Sequence, residues 1–140
     1  PTLTVGTDGI TCSYLCPVPT GAIQGKTLMI YGVWVQGAVT TILAGGPVLY
    51  EYTLAFGHTA LSLATAEGIA AKAPRRVFLG FETFANNAPV ASIGQGVYRA
   101  FNAPIPINPG EYVAITAKNL GVVTTTGVIV LGVGFDSHWE

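Results

Sequence analysis

Charge is what this sequence has least of. Asp, Glu, Lys and Arg make up 9% of its 140 residues, against about 25% in an ordinary soluble domain. Seven acids nearly cancel six bases, leaving a formal net charge of -1. Neutralising a phosphate backbone takes several converging cations. Arg75-Arg76 is the one adjacent pair of cations, so no nucleic-acid partner is expected.

Cysteine is scarce too, with only Cys12 and Cys16. In an extended chain residues four apart lie about 13 Å from each other, beyond the reach of a disulfide. A tight turn through Ser13-Tyr14-Leu15 would bring them together; otherwise they are two small reduced thiols. Two cysteines and the distant His58 and His138 do not make a zinc spacing, and no metal or cofactor is expected.

Unbroken hydrophobic runs are missing as well. Thr27 to Tyr50 carries no charge, but Gly32, Gly37, Gly45, Gly46 and Pro47 interrupt it, and its β-branched runs alternate like strands rather than a membrane helix. A membrane β-barrel would need more polar residues to line its lumen. The start, Pro1-Thr2-Leu3-Thr4-Val5, has neither the basic nor the long apolar region of a signal peptide. No membrane insertion is expected.

What is present reads as β-structure. Strands are expected over Lys26–Gln36, Val48–Phe56, Val77–Phe84, Ala91–Phe101, Glu111–Lys118 and Thr124–Phe135, with Gly94 and Gly96 marking a bulge. In the first of these, Leu28, Ile30 and Gly32 mark one face and Met29, Tyr31, Val33 and Val35 the other. Pro109-Gly110 fits the corner of a type II turn. Residues 57–76 break the pattern and predict one long loop or short helix. The expected fold is all-β, an antiparallel β-sandwich of jelly-roll type. Residues 1–25 lack a core pattern and read as an N-terminal arm or edge segment on a 26–140 sandwich domain, laid against a neighbouring chain.

Catalytic constellations do not assemble. Asp136-Ser137-His138 has triad residue types, but adjacent residues of an extended chain point to opposite faces. Glu51, Glu82 and Glu111 are the carboxylates near strands, and they read as solvent-facing positions or charges that discourage wrong strand pairing. His58 reads as a hydrogen-bonded structural histidine. No enzymatic role is expected.

Contact residues are better represented. A chain this poor in charge must cover its surface with apolar atoms, and large apolar patches mark contact sites. Trp139, behind a polar tip, is a candidate anchor on another chain. Arg75 and Arg76 suit bidentate interface contacts. Trp34 and Tyr31, with Tyr50, Tyr52, Phe78, Phe81 and Phe84, form either core or an aromatic platform.

The segments H-T-A-L-S-L-A-T-A-E (58–67), K-A-P-R-R-V (72–77) and I-N-P-G-E-Y-V-A (107–114) resemble bacteriophage virion proteins, the β-sandwich domains of capsid-decorating, fibre and tail proteins. The likeness spans residues 26–136. The P-G-E-Y-V-A element also resembles trimeric jelly rolls of the tumour-necrosis-factor kind. The resemblance implies a non-enzymatic virion component that forms a homo-oligomer, a trimer by preference, and attaches to other virion proteins. The alternative expectation is a glycan- or receptor-binding module, in which Asn86, Asn87, Tyr98 and Asn102 would join the aromatics.

Overall fold

The computed structural model describes residues 2–3, 6, 8–39, 48–60, 75–84, 92–121, 125–126 and 129–140. Ten strands run through them: β1 Thr2–Leu3, β2 Asp8–Leu15, β3 Leu28–Val39, β4 Val48–His58, β5 Arg75–Phe84, β6 Ser92–Ile93, β7 Val97–Ile107, β8 Tyr112–Asn119, β9 Thr125–Thr126 and β10 Ile129–Trp139. One 3-10 turn, Gly21–Ile23, interrupts them, and no α-helix occurs among the described residues.

Every pairing among the described residues is antiparallel. One sheet has the order β2-β8-β4-β5; in the other, β3 is flanked by β10 on one side and by β7 and the short β6 on the other. β1 and β9 form a separate two-residue ladder. The sheets stack into a β-sandwich whose core joins Ile30, Val33 and Val35 of β3 to Tyr50, Tyr52 and Leu54 of β4 and to Ile115 of β8. All seven are at most 1% exposed, so the core is closed to water.

β3 departs from strict alternation. Leu28 and Ile30 point inward, and so do Val33 and Val35, where an uninterrupted period of two puts the valines on the opposite face. The cause is a bulge at Tyr31. Pairing with β10 jumps from Gly32↔Asp136 to Ile30↔Ser137, and pairing with β7 from Gly32↔Ala100 to Ile30↔Ile105. Tyr31 therefore has no partner in either ladder, and the extra residue returns all four apolar side chains to the core.

Other boundaries shift in the same sense. The expected strand 91–101 is split by Gly94–Gly96, and its second half runs on to Ile107. The last strand continues through Trp139. The turn before β8 forms at Asn108–Glu111: the Glu111 amide donates to the Asn108 carbonyl at 3.1 Å. Gly110 there has φ +81°, as the third position of a type II turn requires. Asp8–Leu15 of the N-terminal segment pairs along β8 as an outer strand of its own sheet. Of the expected loop or helix at 57–76, residues 61–74 lie outside the described residues.

Candidate functional surface

The bulge at Tyr31 decides what the outer face of the β10–β3–β7 sheet displays. With Val33 and Val35 inside, Trp34 and Gln36 point out. Trp34 stands directly opposite Tyr98 on β7 and Gly134 on β10. Trp34 is 40% and Tyr98 62% exposed. The surrounding floor is glycine. A Cβ placed on Gly132 would sit 3.4 Å from the Trp34 ring and one on Gly134 3.7 Å, while one on Gly32 would fall 2.9 Å from the Tyr98 hydroxyl. The two rings therefore lie across bare backbone. Val130, 57% exposed, continues the apolar surface along β10.

A polar corner follows at the far end of β10. His138 Nε2 lies 3.6 Å from Asp136 Oδ1, the His138 ring meets Tyr31 edge-on at 5.5 Å, and the Tyr31 hydroxyl donates to the Glu140 carboxylate. Ser137 lies on the opposite, inward side with Leu28 and Ile30. Asp136, Ser137 and His138 consequently do not converge.

The five candidate contact residues divide among three places. Trp34 and Tyr31 share the outer face just described. Trp139 points the other way, half-buried against its own core, and lines an apolar cavity of about 210 Å³ between the sheets with Tyr14, Leu28 and Phe135. Arg75 and Arg76 begin β5, on the other sheet. The Arg75 guanidinium sits 4.6 Å above the Phe56 ring and 4.0 Å from Glu111; Arg76 pairs with Asp8 at 3.1 Å. Of the remaining aromatics, Tyr50, Tyr52 and Phe84 are core, whereas Phe78 and Phe81 form an exposed pair with ring centres 5.0 Å apart. Tyr98 and Asn102 are both exposed on β7; Asn86 and Asn87 lie outside the described residues.

The three strand-associated carboxylates occupy unrelated positions. Glu51 alternates with the buried Tyr50 and Tyr52 and pairs with Lys118, whereas Glu111 adjoins the opposite end of β8, roughly 23 Å away at the rise of a strand. Glu82 is buried, which corrects the expectation of a solvent-facing charge. Its Oε1 accepts the Gly37 amide at 2.8 Å and the Tyr52 hydroxyl at 2.9 Å, and its Oε2 accepts the Gly96 amide at 2.8 Å. Three donors replace the water lost on burial. Burial foremost, then the charge of Glu82 and the hydrogen bond to it, pushes the Tyr52 hydroxyl far above its ordinary range.

His58 ends β4 with its ring fully buried and stacked on Tyr112 at 5.7 Å. Neither ring nitrogen has a hydrogen-bond partner among the described residues, which corrects the expectation of a hydrogen-bonded histidine. Desolvation foremost, then Arg76, pushes its pKa down, with Glu111 opposing. Close by, Cys16 is a buried free thiol whose pKa burial, and then Glu111, pushes up. Among the described residues no three His, Cys, Asp or Glu side chains are placed to hold a metal ion.

Tyr98, Glu82 and His58 are each named from the sequence, but their surroundings show only in three dimensions. For Glu82 the sequence carried one signal, a lone acid in an apolar strand followed by the Gly94-Gln95-Gly96 triplet that supplies an amide to it. Comparison with family models, with characterised proteins and with solved structures finds no match to this chain.

Proposed function

We propose that this chain is a non-enzymatic structural module of a bacteriophage particle, a jelly-roll sandwich that assembles into a homo-oligomer, a trimer by preference, and attaches to other virion proteins. The observation that carries the reading is the uncovered Trp34–Tyr98 face. Trp and Tyr are enriched among residues that dominate contact energies, and here they lie flat on glycine where a flat partner surface can reach them. A second copy of a chain this poor in charge meets little electrostatic resistance on approach.

Strand order supports the jelly-roll part. Counting the long strands β2, β3, β4, β5, β7, β8 and β10 as second to eighth of eight gives the sheet orders 2-7-4-5 and 8-3-6. A double Greek-key roll has these orders, with its first strand beside the eighth. Among the described residues β10 has no strand partner on that side, and β1 pairs instead with β9 in a ladder of its own. An open edge of this length is a template for another chain unless it is covered, and a closed ring of copies covers it.

Light scattering of the purified chain across a dilution series tests the assembly. A stable trimer that Tyr98→Glu converts to monomer, with an unchanged β-sheet circular dichroism spectrum, is the expected result. A wild-type monomer at every concentration overturns it. Proteomics of particles purified from a lysate expressing the gene tests the virion placement, and absence of the chain from them removes it. The alternative, a glycan- or receptor-binding module, draws on the same exposed rings, because pyranose faces stack on Trp and Tyr. A monomer that binds on a glycan array and loses binding with Trp34→Ala would establish it instead.

A further inference from the structure

Glu82 has a second side. The same carboxylate lines a cavity of about 280 Å³ with Phe81, Thr83, Phe84, Ile93 and the Gly94-Gln95-Gly96 segment. Glu82 itself is 5% exposed. Its donors are two peptide amides and one phenol, all neutral. Among the described residues no cation pairs with it: the ion pairs there are Arg75 with Glu111, Arg76 with Asp8 and His138 with Asp136. An ionised carboxylate has about four acceptor positions, and three are used. Oε2, with a single donor, keeps one.

We propose that this cavity binds a small organic cation, an alkylammonium group, with its charge on Glu82 and its carbon chain against Phe81 and Phe84. Charge complementarity selects the occupant. A carboxylate removed from water attracts a cation far more strongly than an exposed one does, and a neutral guest gains nothing from that field. The aromatic walls favour a cation over an anion for the same reason. The volume suits a short chain and falls below that of drug-sized pockets. Gly94 packs its backbone directly on the carboxylate, since a Cβ there would fall 2.3 Å from Oε2. The inference does not rest on the oligomer reading, although the two places meet at Gly96, where a Cβ would fall 3.3 Å from the Trp34 ring nitrogen.

The test uses the intact chain and n-butylammonium, followed by amide NMR shifts. Saturable shifts centred on Gly94 and Gly96 are expected, with 1-butanol at the same concentrations producing none. Glu82→Gln keeps the shape of the side chain and removes the charge, and it should weaken n-butylammonium binding at least tenfold. If Glu82→Gln fails to fold, the comparison of n-butylammonium with 1-butanol on the wild type decides alone. No saturable shift, equal shifts from amine and alcohol, or undiminished binding by a folded Glu82→Gln overturns the proposal. Parallel titrations with 1,4-diaminobutane and with Nα-acetyl-lysine amide distinguish a free polyamine from a lysine side chain as the source of the group, the tighter of the two naming it.

Discussion

The Gly37 amide on β3 donates to the Glu82 carboxylate on β5 at 2.8 Å, so a single side chain ties one sheet of the sandwich to the other. The Gly96 amide and the Tyr52 hydroxyl complete the tie. Glu82→Ala strands two buried donors and the part-buried Gly96 amide at once, and a buried donor costs about 1–3 kcal/mol when left unsatisfied. A loss of roughly 3–5 kcal/mol is expected by urea unfolding, allowing for water entering the gap. Glu82→Gln retains an acceptor oxygen and should lose less. An alanine variant within 1 kcal/mol of wild type would show that the tie contributes little.

Gly94 and Gly132 form a matched steric test. A Cβ on Gly94 would overlap the Glu82 carboxylate at 2.3 Å, whereas one on Gly132 would meet the Trp34 ring at an ordinary 3.4 Å. Gly94→Ala should therefore destabilise by about 1–3 kcal/mol, the range for overpacked sites. Gly132→Ala should change stability by under about 1 kcal/mol. Equal melting temperatures for the two variants would contradict the geometry.

Much of the fold was legible because apolar runs and Gly/Pro punctuation are local. Val48–His58 and Tyr112–Asn119 lie within two residues of their expected bounds. The face of β3 was not legible, because a bulge leaves no mark on composition: Tyr31 is a normal strand residue whose partners on both neighbours happen to skip it. Glu82 was misread for a related reason. Its donors are 45, 30 and 14 residues away in the chain, so nothing adjacent to it reports that its charge is satisfied. For Trp34 the sequence left core and aromatic platform open, and Tyr98 was named only for a glycan site; that the two stand opposite each other became visible only through register. Trp139 was expected to anchor on another chain, whereas the inward phase of β10 turns it toward its own core.

Cys16 is 1% exposed and its Sγ lies 3.7 Å from the Ile107 carbonyl. Burial holds the thiol form and raises the pKa, as it does for the half-buried Cys12. The thiolate is the reactive species, so iodoacetamide near neutral pH should leave Cys16 unmodified in the folded chain and label it promptly in urea. Peptide mass spectrometry reads both states. Rapid native labelling of Cys16 would mean that this end of the sandwich opens readily.

His58 couples the stability of the same region to pH. Its ring is 0% exposed and both nitrogens are unpaired among the described residues, so the folded state accepts the neutral imidazole and resists the cation. The charges acting on it are Arg76 from β5, which opposes protonation, and Glu111 before β8, which favours it; Arg76 is itself paired with Asp8. The folded pKa therefore lies below the ordinary 6.5. Above 6.5 neither state binds the proton and the full stability is present. As pH falls below 6.5 the unfolded chain protonates first, and stability declines until the folded pKa is reached. His58→Phe keeps a ring stacked on Tyr112 and carries no polar atom, so it should gain about 1–2 kcal/mol at neutral pH by removing unpaired groups. It should also flatten this part of the profile. Urea unfolding of both proteins on either side of pH 6.5 measures the two effects together. Parallel profiles would show that His58 finds a proton partner when the fold is acidified, and a destabilised phenylalanine variant would show that its nitrogens are satisfied at neutral pH.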